Sequence, residues 1–118
     1  VLPELFINGK FTLGENIGDL GGVNSAFDGL ELYLSKHGDI GEIDGFSQQQ
    51  RFFISWATIW RTKMREEALR TRIATDPHSP GMYRGYVPLK NIQAFYDAFN
   101  ILESDKMYLS PENRVKIW

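Results

Sequence analysis

A long helical pattern near the start of the chain constrains its fold more than any other feature. Apolar side chains recur there every three or four residues and fall on one arc of a helical wheel. Thr12 and Glu15 have the spacing of a capping box, and Gly38 suits a helix end. We therefore predict a helix from about 13 to 37, with a buried arc formed by Leu20, Val23, Phe27, Leu30 and Leu34.

Two carboxylates, Glu15 and Asp19, lie one turn apart at the start of this helix. Both fall on the flank beside the apolar arc, and Gly22 and Ala26 continue that flank with side chains small enough for another backbone to approach. Like charges at this spacing cost roughly 0.2–0.5 kcal/mol on an exposed helix, whereas an unpaired buried carboxylate costs several kcal/mol and needs a cation, a metal or hydrogen-bond donors. Taken alone, the stretch also allows a simpler interpretation, in which Glu15 only closes the capping box and Asp19 is solvated.

The rest of the chain predicts shorter helices between loops. Residues 1–11 carry the turn signal Asn8-Gly9 and predict an extended entry or a small hairpin. Ser47 and Gln50 form a second capping box, before a helix rich in aromatic side chains. The charged segment 61–75 continues in a helical pattern with a solvated face.

The strongest interruption of the chain is the segment 76–81, because its two prolines and its glycine do not continue a helix. We expect residues 84–89 to be extended and residues 91–102 to be helical, with apolar side chains at core spacing. Ser110-Pro111 predicts one more helix start near the end of the chain.

Composition narrows the classes of protein that fit. With 42% hydrophobic residues in 118, the chain is expected to form one folded domain or a part of one. Thirteen basic and fifteen acidic side chains leave a formal charge of −2 without a block of either sign, which argues against nucleic acid as a partner. The absence of cysteine excludes disulfides and thiolate zinc sites.

The chain has two histidines, in different settings. His37 precedes Gly38 at a helix end, where a cation interacts favourably with the helix dipole, so we interpret it as structural. His78 stands in a Pro-His-Ser-Pro-Gly loop six residues before Arg84. One segment thus supplies a ring that donates a hydrogen bond, His78, and a planar cation, Arg84. Such a pair suits oxyanion stabilisation and the binding of a carbonyl or carboxylate. The alternative is a loop histidine that caps a backbone carbonyl.

Four motifs, in matching order, resemble the C-terminal end of the neprilysin family. This family comprises zinc metallopeptidases of the neprilysin, endothelin-converting enzyme and bacterial oligoendopeptidase O type. The motifs are Gly9–Gly22 with E-N-x-x-D, Trp56–Arg61, Asp76–Arg84 with H-S-P-G-x-x-R, and the terminal Ile117-Trp118. The resemblance implies a mainly α fold of three to five helices with short extended segments, the helical C-terminal portion of a zincin-type (thermolysin-like) catalytic domain.

The resemblance also implies a role for each matching residue. Glu15 corresponds to the third protein ligand of one catalytic zinc ion, and Asp19 to the aspartate that hydrogen-bonds a zinc-ligating histidine of another helix. His78 corresponds to the residue that stabilises the oxyanion of the tetrahedral intermediate, and Arg84 to the one that binds a substrate backbone carbonyl.

By the same resemblance, Ile59 and Trp60 match residues lining the pocket for the side chain just after the scissile bond. That pocket favours apolar side chains. From the residues alone, an aromatic stripe on a helix is more often part of a core than of a ligand pocket.

One departure from the family pattern limits these expectations. The H-E-x-x-H motif, which supplies two zinc ligands and the general base, does not occur in the sequence, and His37 and His78 do not replace it. We therefore expect residues 1–118 to be a C-terminal fragment of the catalytic domain, inactive and without zinc when isolated. Its partners would be a peptide substrate and the remainder of its own catalytic domain.

Two further hypotheses stay open at this point. The first is that the chain is a non-catalytic helical module that binds peptides or a partner. Upstream sequence containing H-E-x-x-H would exclude this module. The fragment is also a candidate homodimer, because the surface facing a missing lobe would expose apolar area. The resemblance also implies a bacterial source, because animal members of the family carry cysteines in this region and this chain has none. By the same resemblance we expect a periplasmic, cell-envelope or secreted location, with the cytoplasm as the alternative.

Overall fold

Five α-helices, joined by loops and two 3₁₀ turns, build residues 1–117, which are the residues described by this computed structural model. Within this range no strand forms, and the only bridges join Leu2 to Leu5 and Ile43 to Phe46. The predicted mainly α fold of three to five helices is therefore confirmed. Trp118, the last residue of the terminal motif, lies outside the described residues. The helices are α1 (Gly9–His37), α2 (Gln48–Ile59), α3 (Glu66–Thr75), α4 (Gly81–Tyr86) and α5 (Gln93–Phe99).

Helix α1 begins four residues earlier than predicted. Its N-cap is Asn8, whose Oδ1 accepts a hydrogen bond from the backbone N–H of Phe11 at 3.1 Å. Asparagine caps a helix as well as threonine does, so the Asn8-Gly9 pair starts the helix and not a hairpin. The predicted capping box is therefore wrong, and both Thr12 and Glu15 lie inside the helix.

The apolar arc of α1 forms one wall of the core, as predicted. Leu20 and Val23 are buried, and Phe27 stacks on Phe53 of α2 with ring centroids 5.1 Å apart. Phe53 also meets Phe95 of α5 edge to face, so aromatic rings join three helices. Gly38 ends α1 as expected, with its N–H donating to the carbonyl of Leu34. No helix within residues 1–117 has both the length and the apolar character needed to cross a membrane.

Helix α2 confirms one prediction and corrects another. The capping box of Ser47 and Gln50 is present, with both reciprocal hydrogen bonds formed. The helix does not continue through 61–75, because the carbonyl of Trp60 accepts from the N–H of Thr62 and the chain turns there. Regular helix resumes only in α3 at Glu66.

The segment 84–89 is helical, so the extended conformation predicted for it is wrong. Residues 81–86 form α4, and Pro88–Asn91 form a 3₁₀ turn with the proline in its first turn, where a missing N–H costs nothing. Gly81 and Gly85 act here as contact points. A Cβ on Gly85 would lie 3.4 Å from the Cβ of Trp60, so the glycines let α4 pack closely on the end of α2.

The predicted helix 91–102 is shorter in the structure, where α5 spans Gln93–Phe99 and ends at Asn100 with φ 50°. A 3₁₀ turn at Pro111–Asn113 confirms the predicted helix start there. The tail is held by Arg114, whose guanidinium lies 3.7 Å from the ring centroid of Tyr96 and donates to the carbonyl of Leu109.

Candidate active site

Four side chains singled out from the sequence meet beside the N-terminal half of α1. Glu15 and Asp19 project from successive turns of that helix. His78 lies in the loop before α4, and Arg84 lies within α4. The fold therefore joins the E-N-x-x-D and H-S-P-G-x-x-R motifs, and each carboxylate of the first meets a polar side chain of the second.

Asp19 and Arg84 form a two-pronged ion pair. Nε and Nη2 of Arg84 donate to the two carboxylate oxygens of Asp19 at 2.7 and 2.8 Å, and the side chains are only 15% and 11% exposed. These hydrogen bonds to Asp19 raise the pKa of Arg84, although burial opposes the shift. The predicted partner of Asp19 was a histidine of another helix; in residues 1–117 its partner is this arginine.

Two tryptophans hold Arg84 in place. The ring of Trp60 lies under the guanidinium, 3.9 Å from centroid to Cζ, and the indole N–H of Trp56 donates to the backbone carbonyl of Arg84 at 3.1 Å. Cation–π contact and the ion pair together fix the plane of the guanidinium. The guanidinium of Arg84 is therefore held in one orientation by its own neighbours.

His78 stands between two carboxylates. Its Nδ1 lies 2.7 Å from Oδ1 of Asp76, and its Nε2 lies 3.1 Å from Oε2 of Glu15. A neutral ring donates through one nitrogen only, whereas an imidazolium donates through both. The contact with Asp76 fixes the orientation of the ring and leaves Nε2 pointing towards Glu15.

Asp76 is itself strongly held. The backbone N–H of His78 donates to its carboxylate, the imidazole and Arg72 add further hydrogen bonds, and these contacts lower the pKa of Asp76 from 3.8 to about 2. Sequence reasoning gave Asp76 no role. The signal was present, because an aspartate two residues before a loop residue commonly accepts that residue's N–H.

The other residues singled out from the sequence differ in their exposure and in their neighbours. Ile59, at the end of α2, is 61% exposed, and Trp60 packs against Arg84. His37 lies at the far end of α1 beside Tyr33, which agrees with a structural role. Glu15 is half exposed, with 48% of its side chain accessible.

A cavity of about 370 Å³ adjoins the Asp19–Arg84 pair. Its walls come from the start of α1, from α4 with the following turn, and from the tail. Apolar side chains such as Leu13, Ile17 and Val87 line most of it. The site thus has a charged edge and an apolar side, but Ile59 and Trp60 do not belong to that wall.

The described residues do not complete a metal site. Within residues 1–117 no group of three histidine, cysteine, aspartate or glutamate side chains is arranged to hold an ion. Glu15 fits one ligand position, since its carboxylate is accessible and its close side-chain contact in this range is with the imidazole of His78. Catalytic zinc requires three protein ligands, so the donors of this chain fit zinc only as part of a larger set.

Comparisons with known proteins show the family of the chain. The model of Peptidase family M13 matches residues 3–115, and the chain belongs to that family. The neutral endopeptidase of Lactococcus lactis subsp. cremoris is 40% identical over 111 residues, which is 94% of this chain and 16% of the relative. Mouse neprilysin is 36% identical over 114 residues, 95% of this chain and 15% of its own length.

Solved structures show the same fold. The zinc metalloprotease Zmp1 of Mycobacterium tuberculosis, in complex with an inhibitor, superimposes with a TM-score of 0.89 at 46% sequence identity. The match covers 95% of this chain and 17% of the protease chain. The chain therefore spans about a sixth of the length of the relatives it matches.

Proposed function

We propose that residues 1–118 are the C-terminal part of the catalytic domain of a zinc endopeptidase that hydrolyses peptides. The observation that carries this proposal is the meeting of Glu15, Asp19, His78 and Arg84 in one cluster, in a chain of Peptidase family M13. The substrate preference we propose is an apolar side chain just after the scissile bond.

Glu15 is proposed to supply one ligand to the zinc ion. A zinc ion held there would supply Lewis-acid chemistry, which makes a bound water a better nucleophile at neutral pH. Because Asn8 caps α1, which begins at Gly9, no capping box competes for the Glu15 carboxylate. The remaining ligands would come from an H-E-x-x-H helix upstream, on the side where Glu15 is accessible.

His78 is proposed to stabilise the oxyanion that forms at the scissile carbonyl. Asp76 accepts from Nδ1, so the imidazolium form of His78, which also carries a hydrogen on Nε2, would direct that hydrogen to the space next to Glu15. A donor fixed before the reaction costs no reorganisation when charge develops, which is the basis of this kind of catalysis. Asp76 thus acts through His78 as a positioning residue.

Arg84 is proposed to bind a backbone carbonyl of the substrate. Two of its nitrogens are occupied by Asp19, and no residue within 1–117 hydrogen-bonds Nη1. Asp19 retains lone pairs beside its two bonds to Arg84, because a carboxylate accepts about four hydrogen bonds. It can therefore hold a zinc-ligating histidine and Arg84 at once. Trp60, under the guanidinium, and the preceding Ile59 are proposed to border a separate pocket, for the side chain just after the scissile bond, outside the 370 Å³ cavity.

A non-catalytic module is the second candidate, favoured by the incomplete donor set within residues 1–117. The two candidates differ in what lies upstream. An H-E-x-x-H motif in the intact parent protein excludes the module, and a parent without that motif excludes the peptidase.

The test uses the intact parent enzyme and Glu15→Ala. We expect this variant to lose zinc and peptidase activity together, because one of three ligands is gone. His78→Ala and Arg84→Ala should retain zinc while lowering kcat and raising KM, respectively. Full activity with unchanged zinc content in Glu15→Ala would refute the assignment, and Glu31→Ala, an exposed acid later on α1, serves as the control.

A further inference from the structure

A chain of polar contacts runs beside the site and has no part in the roles given above. The hydroxyl of Ser79 donates to Oδ1 of Asn16 at 2.8 Å, and Nδ2 of Asn16 donates to the hydroxyl of Thr12 at 3.1 Å. The hydroxyl of Thr12 donates in turn to the backbone carbonyl of Asn8 at 3.3 Å. We call Ser79, Asn16 and Thr12 the polar relay.

The relay is more than a surface contact. Thr12 is 3% exposed and Ser79 6%, and they are the two buried polar residues among those described. Buried hydroxyls are costly unless they are hydrogen-bonded, and the Asn16 amide satisfies both. Asn8, Thr12 and Asn16 lie four residues apart on one face of α1, so the helix itself delivers the acceptor that Ser79 needs.

The relay runs parallel to the contact between His78 and Glu15. Ser79 follows His78 in the loop, and Asn16 follows Glu15 on the helix, so two adjacent residues of each segment are paired with two of the other. Asp76 is the other residue of this loop with side-chain hydrogen bonds. Its carboxylate contacts His78 and Arg72, neither of which belongs to α1. Within residues 1–117, the loop thus contacts α1 through two polar side chains. His78 lies against Glu15, and Ser79 hydrogen-bonds Asn16.

We propose that the polar relay is a positioning device that fixes His78 against Glu15. The effect on catalysis rests on the proposed function. The positioning of the loop rests only on the hydrogen bonds described above. A loop released from Asn16 could shift by the 1 Å or so that suffices to misplace a catalytic group, at a cost on the order of 100-fold in rate.

The experiment measures the intact parent enzyme with Ser79→Ala, Asn16→Leu and Thr12→Val. We expect kcat to fall by roughly 10- to 100-fold while KM and zinc content stay at the wild-type level, since binding and metal ligation are untouched. Ser79→Thr and Thr12→Ser keep the hydroxyls and should restore most of kcat. Ser35→Ala and Thr58→Val remove exposed hydroxyls that bond only within their own helices, and should leave kcat unchanged.

Two results would overturn the proposal. One is wild-type kcat in Ser79→Ala and Asn16→Leu. The other is a loss of activity accompanied by loss of zinc and a lower Tm, which Ser79→Thr does not restore, because this would mark a merely structural role.

Amide hydrogen exchange at His78, Ser79 and Gly81, the residues of the segment 78–81 that carry a backbone N–H, separates this proposal from the proposed function. If the wild-type parent hydrolyses no peptide, the proposed function fails, and the exchange rates still decide the relay. Faster exchange at these residues in Ser79→Ala, with the rest of the chain unchanged, would support the relay. Unchanged exchange there would refute it.

Discussion

At the scale of single residues, the Asp19–Arg84 pair is the contact that joins the two motifs most firmly. Its geometry uses the planar fork of arginine, which matches both oxygens of a carboxylate and which lysine does not reproduce. Trp60 stacks on the same plane. We infer that the arginine at position 84 is required for its shape as well as its charge.

Removing the charge of Asp19 should destabilise the folded chain. Asp19→Asn keeps the size of the side chain but leaves Arg84 without a counter-charge in a largely buried site, so the free energy of unfolding should fall by roughly 1.5–3 kcal/mol. Glu66→Gln breaks the exposed pair with Arg70 and should cost only about 0.3–0.5 kcal/mol. Urea denaturation measures both. A double-mutant cycle with Arg84→Met that gives no coupling energy would contradict the prediction.

Asp76 should make the stability of the chain sensitive to acid. Its folded-state pKa is about 2, below the ordinary 3.8, so the ionised carboxylate stabilises the folded chain fully above pH 3.8. This stabilisation is lost as the pH falls through about 2. We expect the carboxyl carbon signal of Asp76 to titrate near pH 2, and Asp76→Asn to abolish the corresponding loss of stability. A titration midpoint at 3.8 would show that the contacts with His78 do not form.

The candidate site could be predicted from the sequence only in part. Glu15, Asp19, His78 and Arg84 were identifiable from their motifs, but a search for a cation within one turn of Asp19 does not find a partner 65 residues away. Tertiary packing decides that pairing. The relay was likewise hidden, since the sequence predicts Thr12 to be a helix cap and local rules give no partner for Asn16 or Ser79.

At the scale of helices, the sequence predicts those features that depend on local rules and not on tertiary packing. The apolar arc of α1, its end at Gly38 and the capping box of α2 follow from local rules and are present. The helical segment 81–86 contradicts local rules, because two of its six residues are glycines, which disfavour a helix. There the contact with Trp60 outweighs propensity, since an added Cβ at Gly81 would lie 3.0 Å from the carbonyl oxygen of Trp60.

Gly81 should therefore tolerate no side chain. A Cβ at this position would lie 3.0 Å from the carbonyl oxygen of Trp60 and from the hydroxyl of Thr62, and the backbone oxygen has little room to move. Gly81→Ala should lower the free energy of unfolding by about 1–3 kcal/mol, the usual cost of overpacking. Gly14→Ala is the matched control, because nothing lies within 4 Å of the added Cβ and alanine favours the helix by roughly 0.5–1 kcal/mol. Equal effects of the two substitutions in thermal denaturation would refute the close packing of α4.

At the scale of the whole molecule, most of the long helix α1 is left uncovered. It has 29 residues, of which only Thr12, Leu20, Gly21 and Val23 are buried. Large apolar side chains along it are exposed, and exposed apolar area on this scale marks an interface. These are Phe11, Leu13, Ile17, Leu32 and Tyr33. The chain spans only 16% of a relative's length, so we propose that the remainder of the catalytic domain covers this exposed surface of α1.

The isolated chain should hide this surface by pairing with a second copy. Leu13 is 55% exposed and Ile17 37%, and both border the cavity beside Arg84, so self-association would remove their apolar area from water. We expect sedimentation equilibrium to show a dimer, and Leu13→Gln with Ile17→Gln to shift it towards monomer. Leu102→Gln changes an equally exposed leucine, 63% accessible and outside α1, and should leave the dimer intact. A wild-type chain that is monomeric at every concentration would contradict the prediction, whereas a dimer weakened equally by Leu102→Gln would place the contact elsewhere than on α1.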